Sequence, residues 1–161
     1  MGSEENKYLA FNLGKESYGM PIMNVREIMG MVEITHVPKM PDFVNGVMNL
    51  RGKIVPVIDL SVKFGLPRSE YTSHTCVVVA EMRVASALHV AGLIVDEVSE
   101  VLDITDGCIE PVPTYGIGQI DQDFISSVGK VNDQIILLLN VEKIFSFSEI
   151  NSMNDMAAEA N

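Results

Sequence analysis

Apolar runs of strand length recur along the chain: YLAFNL from Tyr8, YGMPIM from Tyr18, KIVPVIDL from Lys53, TCVVVAEM from Thr75, LHVAGLIV from Leu88 and QIILLLNV from Gln134. Gly, Pro, Asn, Asp and Ser separate them, and no long 3.6-residue period appears before the last 20 residues, so the pattern predicts a mostly β chain with short helices. LGKES, between the first two runs, reads as a hairpin connection turning at Gly14. Val141 to Phe145 is expected to form a short C-terminal helix that fades into a frayed tail.

The pattern also repeats itself. At an offset of 73, Gly19, Val25 and Glu27 meet Gly92, Val98 and Glu100, while Ile28 and Met29 meet Val101 and Leu102. At an offset of 81, Asp42, Phe43, Val47 and Phe64 meet identical residues at Asp123, Phe124, Val128 and Phe145. Ile54, Val55, Val57 and Leu60 stay apolar at Ile135, Ile136, Leu138 and Val141. The change of offset places eight extra residues between Leu102 and Asp123. Two similar lobes follow, about 8–64 and 75–145, joined by GLPRSEYTSH. A lobe of roughly 55 to 70 residues is marginal alone, so the two are expected to pack together as one domain over 8–145, with flexible tails at 1–7 and 151–161.

The repeat isolates one residue. Arg51 and Gly52 stand before the apolar strand of the first half, where the second half reads Asn132 and Asp133. Folding of the turn therefore requires neither an arginine nor a glycine. Two readings of Arg51 stay open: a solvated side chain paired with a carboxylate such as Glu27 or Asp59, or a docking contact, for which a planar guanidinium on an apolar stem is well suited. Gly52 permits a positive φ or a close backbone approach.

Charge narrows the function class. With 22 acidic against 11 basic residues the net charge is −11, which repels phosphate backbones and argues against a nucleic-acid partner. MGSEENK carries no apolar h-region, and the longest aliphatic run, Ile135 to Leu139, is far short of the ~20 residues of a membrane span. Neither export nor membrane insertion is expected. Two cysteines, Cys76 and Cys108, make no disulfide framework, and a reducing cytoplasm fits best.

No catalytic group stands out. His36, His74 and His89 lie at the edges of apolar runs without metal-ligand spacing, so no metal and no cofactor is expected. A Cys76 nucleophile with His89 as base is outweighed by an inert core thiol in an apolar strand. Asp59, matched by Asn140, suits a turn hydrogen bond better than acid/base work. PVPTYGIG, in the second half's surplus, is stiffened by Pro111 and Pro113 and carries Tyr115. That aromatic is either an interface anchor or tucked against its own lobe.

SYGMPIMNVREIMG, DFVNGVMNLRGKIVPVIDLSVKFG and HVAGLIVDEVSEVL together resemble the CheW chemotaxis coupling protein family, over about Tyr8 to Phe145. The block NLRG-x-x-x-P-x-x-D-L carries most of the likeness. The resemblance implies two SH3-like five-stranded β-barrels related by a pseudo-twofold. It implies a cytoplasmic, non-enzymatic adaptor that links the tips of methyl-accepting chemoreceptors to the regulatory domain of the histidine kinase CheA. A coupling module of a non-flagellar chemosensory pathway, or of a larger receiver or kinase fusion, is the alternative.

The same resemblance carries residue roles. Asn49, Leu50, Arg51 and Gly52, with Val25, Glu27 and Ile28 of the V-x-E-I element, would form the receptor surface, in a groove between the barrels. A receptor helix would lie on Val25, Ile28 and Leu50 while Arg51 pairs with a carboxylate at the rim. Tyr115 would face the kinase, beside Glu110. Here the chain departs from the family, with Tyr115 where Phe is common and Glu110 where a basic residue can occur.

Overall fold

KIVPVIDL is apolar on both faces because both faces are buried. Alternate residues along β5 (Lys53–Asp59) enter different cores: Val55 and Val57 join one cluster, Ile58 another. β6 (Cys76–Val84) divides in the same way, with Val77 and Val79 on one side and Val78 and Ala80 on the other. The first cluster, with Met48 and Ile94, fills the inside of one sheet. The second is the main core, shared by Leu9, Phe11 and Met20 from one sheet and Ile58, Val78 and Leu93 from the other. Strands sandwiched between two cores lose the period of two and read as continuous runs.

This computed structural model describes residues 6–67, 70–84, 86–112 and 124–144. The remaining strands are β1 (Lys7–Leu13), β2 (Glu16–Pro21), β3 (Val25–Gly30), β4 (Val44–Leu50), β7 (Ala87–Val95), β8 (Glu97–Asp103), β9 (Ile109–Glu110), β10 (Ile125–Val131) and β11 (Gln134–Leu139). Two one-turn helices, α1 (Leu60–Lys63) and α2 (Val141–Ile144), follow β5 and β11, so the short helix expected after Val141 is present.

One sheet has the order β3-β6-β7-β5-β4 and the other β8-β1-β2-β11-β10-β9. The first is drawn back on itself where Thr35 exchanges two backbone hydrogen bonds with Val47, at 2.8 and 2.9 Å. In the second, β9 does the same, pairing Glu110 with Val128, the residue 81 beyond Val47. The sixth strand is thus the longer version of a rung present in both, and each sheet is a five-stranded barrel closed by it.

The orders superpose strand for strand, and they correct the expectation of contiguous lobes at 8–64 and 75–145. Each barrel joins the first hairpin of one half to the last strands of the other: β1 and β2 with β8 to β11, and β6 and β7 with β3 to β5. The reason lies in the parallel pairs that connect the hairpins to their partners, Gly19 with Leu138 and Gly92 with Val57. A β-carbon on Gly19 would come within 2.9 Å of Leu138 Cδ2, and one on Gly92 within 2.8 Å of Val77 Cγ1. The glycine shared by both halves thus makes room where the exchanged strands meet, for Leu138 of the partner strand at Gly19 and for Val77 of its own hairpin and Met48 of β4 at Gly92.

Other devices recur with the same offsets. The bulge between Val44 and Gly46 returns between Ile125 and Ser127, and the one at Arg26 returns at Ser99. The Asp59 N–H bonds to the Phe43 carbonyl at 2.8 Å, as the Asn140 N–H does to that of Phe124 at 2.8 Å. Phe43 and Phe124 also flank the buried Lys63 ammonium, which lies 4.0 and 5.6 Å from their ring centres. Among the described residues no helix is long and apolar enough to cross a membrane.

Candidate functional site

The turn between β4 and β5 has two central residues, Arg51 and Gly52, with φ of +52° and +87°. Positive φ at both is the two-residue hairpin turn whose twist matches its strands, and Asn-Gly is its preferred pair. The equivalent turn between β10 and β11 uses Asn132 and Asp133 at +49° and +67°, so both halves do build the turn alike. Arginine is the exception, since only glycine and, less readily, Asn or Asp visit this region at low cost.

Neighbours hold it there. The Asn49 side-chain oxygen accepts the Gly52 N–H at 2.8 Å, which pins the turn. Arg51 Nη1 and Nη2 donate to Glu27 Oε1 and Oε2 at 2.7 and 2.6 Å, the fork geometry that makes guanidinium and carboxylate a matched pair. The hydrogen bond from Arg51, with the positive charges of Arg51 and Arg26 assisting, holds the Glu27 carboxyl below its usual range, and that bond raises Arg51 in turn. The arginine side chain nevertheless remains 72% exposed. Of the two readings open from sequence, pairing with Glu27 is realised without hiding the guanidinium.

The other expected receptor-site residues are placed unequally. Ile28 is 45% exposed on β3, one residue from Glu27. Val25 packs against the main core and Leu50 against the interior of its own barrel. A cavity of about 560 Å³ opens beside Arg51, lined by Leu50, Lys53, Ile54, Leu88 and Val90 among others, with Arg26 at its edge. Neither Val25 nor Ile28 lines it, and its walls all belong to the barrel of β3 to β7. The groove present at Arg51 is thus the mouth of one barrel. Glu110, on β9, pairs with Lys130 at 3.0 Å on the other barrel, and Tyr115 lies outside the described residues.

Sequence reasoning missed Arg26, Lys53 and Leu88. The repeat held a signal for two of them, because Arg26 and Lys53 stand where the second half has Ser99 and Gln134.

Reactive chemistry finds little support. Cys76 is half-buried, and burial, with the charge of Glu97, pushes its thiol above the usual value despite a hydrogen bond from the Val98 backbone, the opposite of an activated nucleophile. Asp59 is buried, accepting the Ser61 N–H at 3.1 Å and the Tyr71 hydroxyl at 2.9 Å, which is the turn role expected. Among the described residues no cluster of three His, Cys, Asp or Glu is placed to hold a metal.

Comparison with known proteins agrees with this picture. Residues 7–149 match the family model of the CheW-like domain. The chain is 36% identical to the chemotaxis protein CheW of Klebsiella aerogenes over 94% of its own length and 88% of that protein's. It is 35% identical to the chemotaxis protein CheW of Helicobacter pylori, over 86% of this chain and 80% of the other. The crystal structure of the scaffolding protein TtCheW from Thermoanaerobacter tengcongensis superposes with a TM-score of 0.78 at 36% identity, covering 88% of each chain. A duplicated pair of exchanged barrels, an arginine held open at a hairpin tip and this breadth of similarity lead to one conclusion: the chain belongs to the CheW-like domain family of chemotaxis scaffold proteins and is not an enzyme.

Proposed function

We propose that the protein is a cytoplasmic adaptor coupling the tips of methyl-accepting chemoreceptors to the regulatory domain of the histidine kinase CheA. The observation that carries this reading is Arg51, kept exposed and oriented by Glu27. An arginine in that backbone conformation is a poor choice for the turn alone, and strain retained at a surface position is motivated by what the side chain does there. Exposed Ile28 adds an apolar contact next to it. The receptor surface comprises Val25, Glu27, Ile28, Asn49, Leu50, Arg51 and Gly52, in which Asn49 and Gly52 act by shaping the turn.

The kinase-facing contact is assigned to Glu110, on the other barrel, together with Tyr115. Signalling through such a protein is a shift among assembled states, with differential affinity as its means. Binding of the purified chain to a receptor cytoplasmic fragment and to the CheA regulatory domain, each by calorimetry, tests the reading. Both should bind at distinct sites; failure of either would remove the adaptor role.

A further inference from the structure

The cavity beside Arg51 does not end there. Leu88, 45% exposed, also lines a second cavity of about 400 Å³, bounded by Met23, Met82 and Arg83. Across the two, an apolar floor is ringed by Arg26, Arg51, Lys53 and Arg83. These are four of the eleven Lys and Arg residues in a chain of net charge −11. Glu81 is the one carboxylate in the lining and lies 4.0 Å from Arg26, while Glu27 forks Arg51 from outside it, so the surplus positive charge of the rim is that of Lys53 and Arg83. A basic, apolar concavity on an acidic protein is complementary to a segment that is both acidic and amphipathic.

The duplication supplies an internal control. At the matching mouth of the other barrel, Arg26, Arg51 and Lys53 are replaced by Ser99, Asn132 and Gln134. The same turn, bulge and strand form there without any of the three charges. The cations are therefore not needed for the fold.

We infer that this barrel mouth takes an acidic amphipathic helix of the receptor tip, extending the interface from Arg51 to Arg26, Lys53 and Leu88; the inference rests on the receptor reading above. One apolar side chain of the helix would enter between Leu50, Val90 and Leu88, with its carboxylates on Lys53 and Arg26. Cations exposed around a mouth act on encounter as well as on residence, so the contact should weaken as salt shortens the Debye length to about 8 Å.

The test measures binding of the receptor cytoplasmic fragment and of the CheA regulatory domain to the full chain carrying Lys53→Glu or Leu88→Ser. Both positions are exposed, and thermal melts verify folding. The expected result is a loss of receptor affinity of about tenfold for Lys53→Glu, a similar loss for Leu88→Ser, and unchanged kinase binding. Receptor binding equal to wild type in both variants overturns the inference and leaves the adaptor reading standing. Loss of kinase binding instead, or a change in self-association by sedimentation, overturns it by giving the mouth to another occupant. If the unsubstituted chain binds no receptor, the reading beneath it fails first.

Discussion

Arg51 and Glu27 stand at opposite edges of the five-stranded sheet, one beyond the end of β4 and the other on β3, and their forked pair at 2.6 and 2.7 Å spans the gap between those edges. The pair fixes a long, entropically costly side chain while leaving most of its surface to solvent. Preorganisation of this kind lowers the ordering cost of docking. Arg51→Ala should therefore weaken receptor binding on the order of tenfold, with little change in melting temperature, because exposed pairs contribute little to stability. Arg51→Lys should not restore binding, since an ammonium cannot reproduce the fork. Receptor titrations at low and physiological salt decide it, and affinity unaltered by Arg51→Ala at both would remove the residue from the site.

The pH dependence of the pair follows from its partner. Glu27 is depressed in the folded chain, first by the hydrogen bond from Arg51. Above the ordinary glutamate value of about 4.3, folded and unfolded chains are both ionised and the pair contributes fully. As pH falls, the unfolded chain takes up its proton first, so that contribution shrinks and is gone once the folded carboxyl protonates. Receptor binding should thus be insensitive to Glu27 across neutral pH. NMR of the side-chain carboxyl should show a midpoint below the usual glutamate range in the wild type, moving upward in Arg51→Ala. A midpoint unaffected by that substitution would mean the pair does not form in solution.

A trade between stability and binding is built into the same turn. Asn132 occupies the equivalent place in the other barrel at nearly the same φ, and asparagine tolerates that conformation better than arginine. Arg51→Asn should raise the melting temperature by about 1 to 3 °C while reducing receptor affinity as Arg51→Ala does. Calorimetry on the free protein gives the first quantity and titration the second. A lower melting temperature would show that the arginine conformation carries no strain.

Much of this was legible in the chain itself, and the limits have physical causes. The family resemblance supplied the barrels, and the repeat disclosed the duplication because core positions tolerate only apolar exchange: Val57 with Leu138, Leu60 with Val141. It could not disclose the exchange of strands between halves. A hairpin has the same sequence whichever partner it meets, and the parallel contacts Gly19–Leu138 and Gly92–Val57 that decide it are non-local. Arg51 was visible because the other half has Asn132 in its place. Val25 and Leu50 were placed together on an open groove by resemblance, whereas Val25 packs against the main core and Leu50 packs inside its own barrel and lines the cavity at its mouth. The mouth at Leu88 escaped because it is assembled from β3, the β4–β5 hairpin and β7, three segments distant in sequence.

The closure of the five-stranded barrel should depend on one glycine. Gly46 sits at a bulge with φ of +153°, and a β-carbon there would strike the carbonyl of Thr35. Backbone cannot swing aside as a flexible side chain can, so Gly46→Ala must displace the 31–37 segment. That segment's exchange with Val47 comprises two backbone hydrogen bonds, each contributing roughly 0.5 to 1.5 kcal/mol, with backbone strain adding about 1 kcal/mol or more. The melting temperature should fall by roughly 10 °C, and amide exchange at Thr35 and Val47 should quicken ahead of β6 and β7. Gly52→Ala makes the contrast: its φ is +87° but a β-carbon meets nothing within 4 Å, so only the turn is strained, by about 1 kcal/mol. If the two alanines destabilised the chain equally, contact with Thr35 would not be what reserves position 46 for glycine.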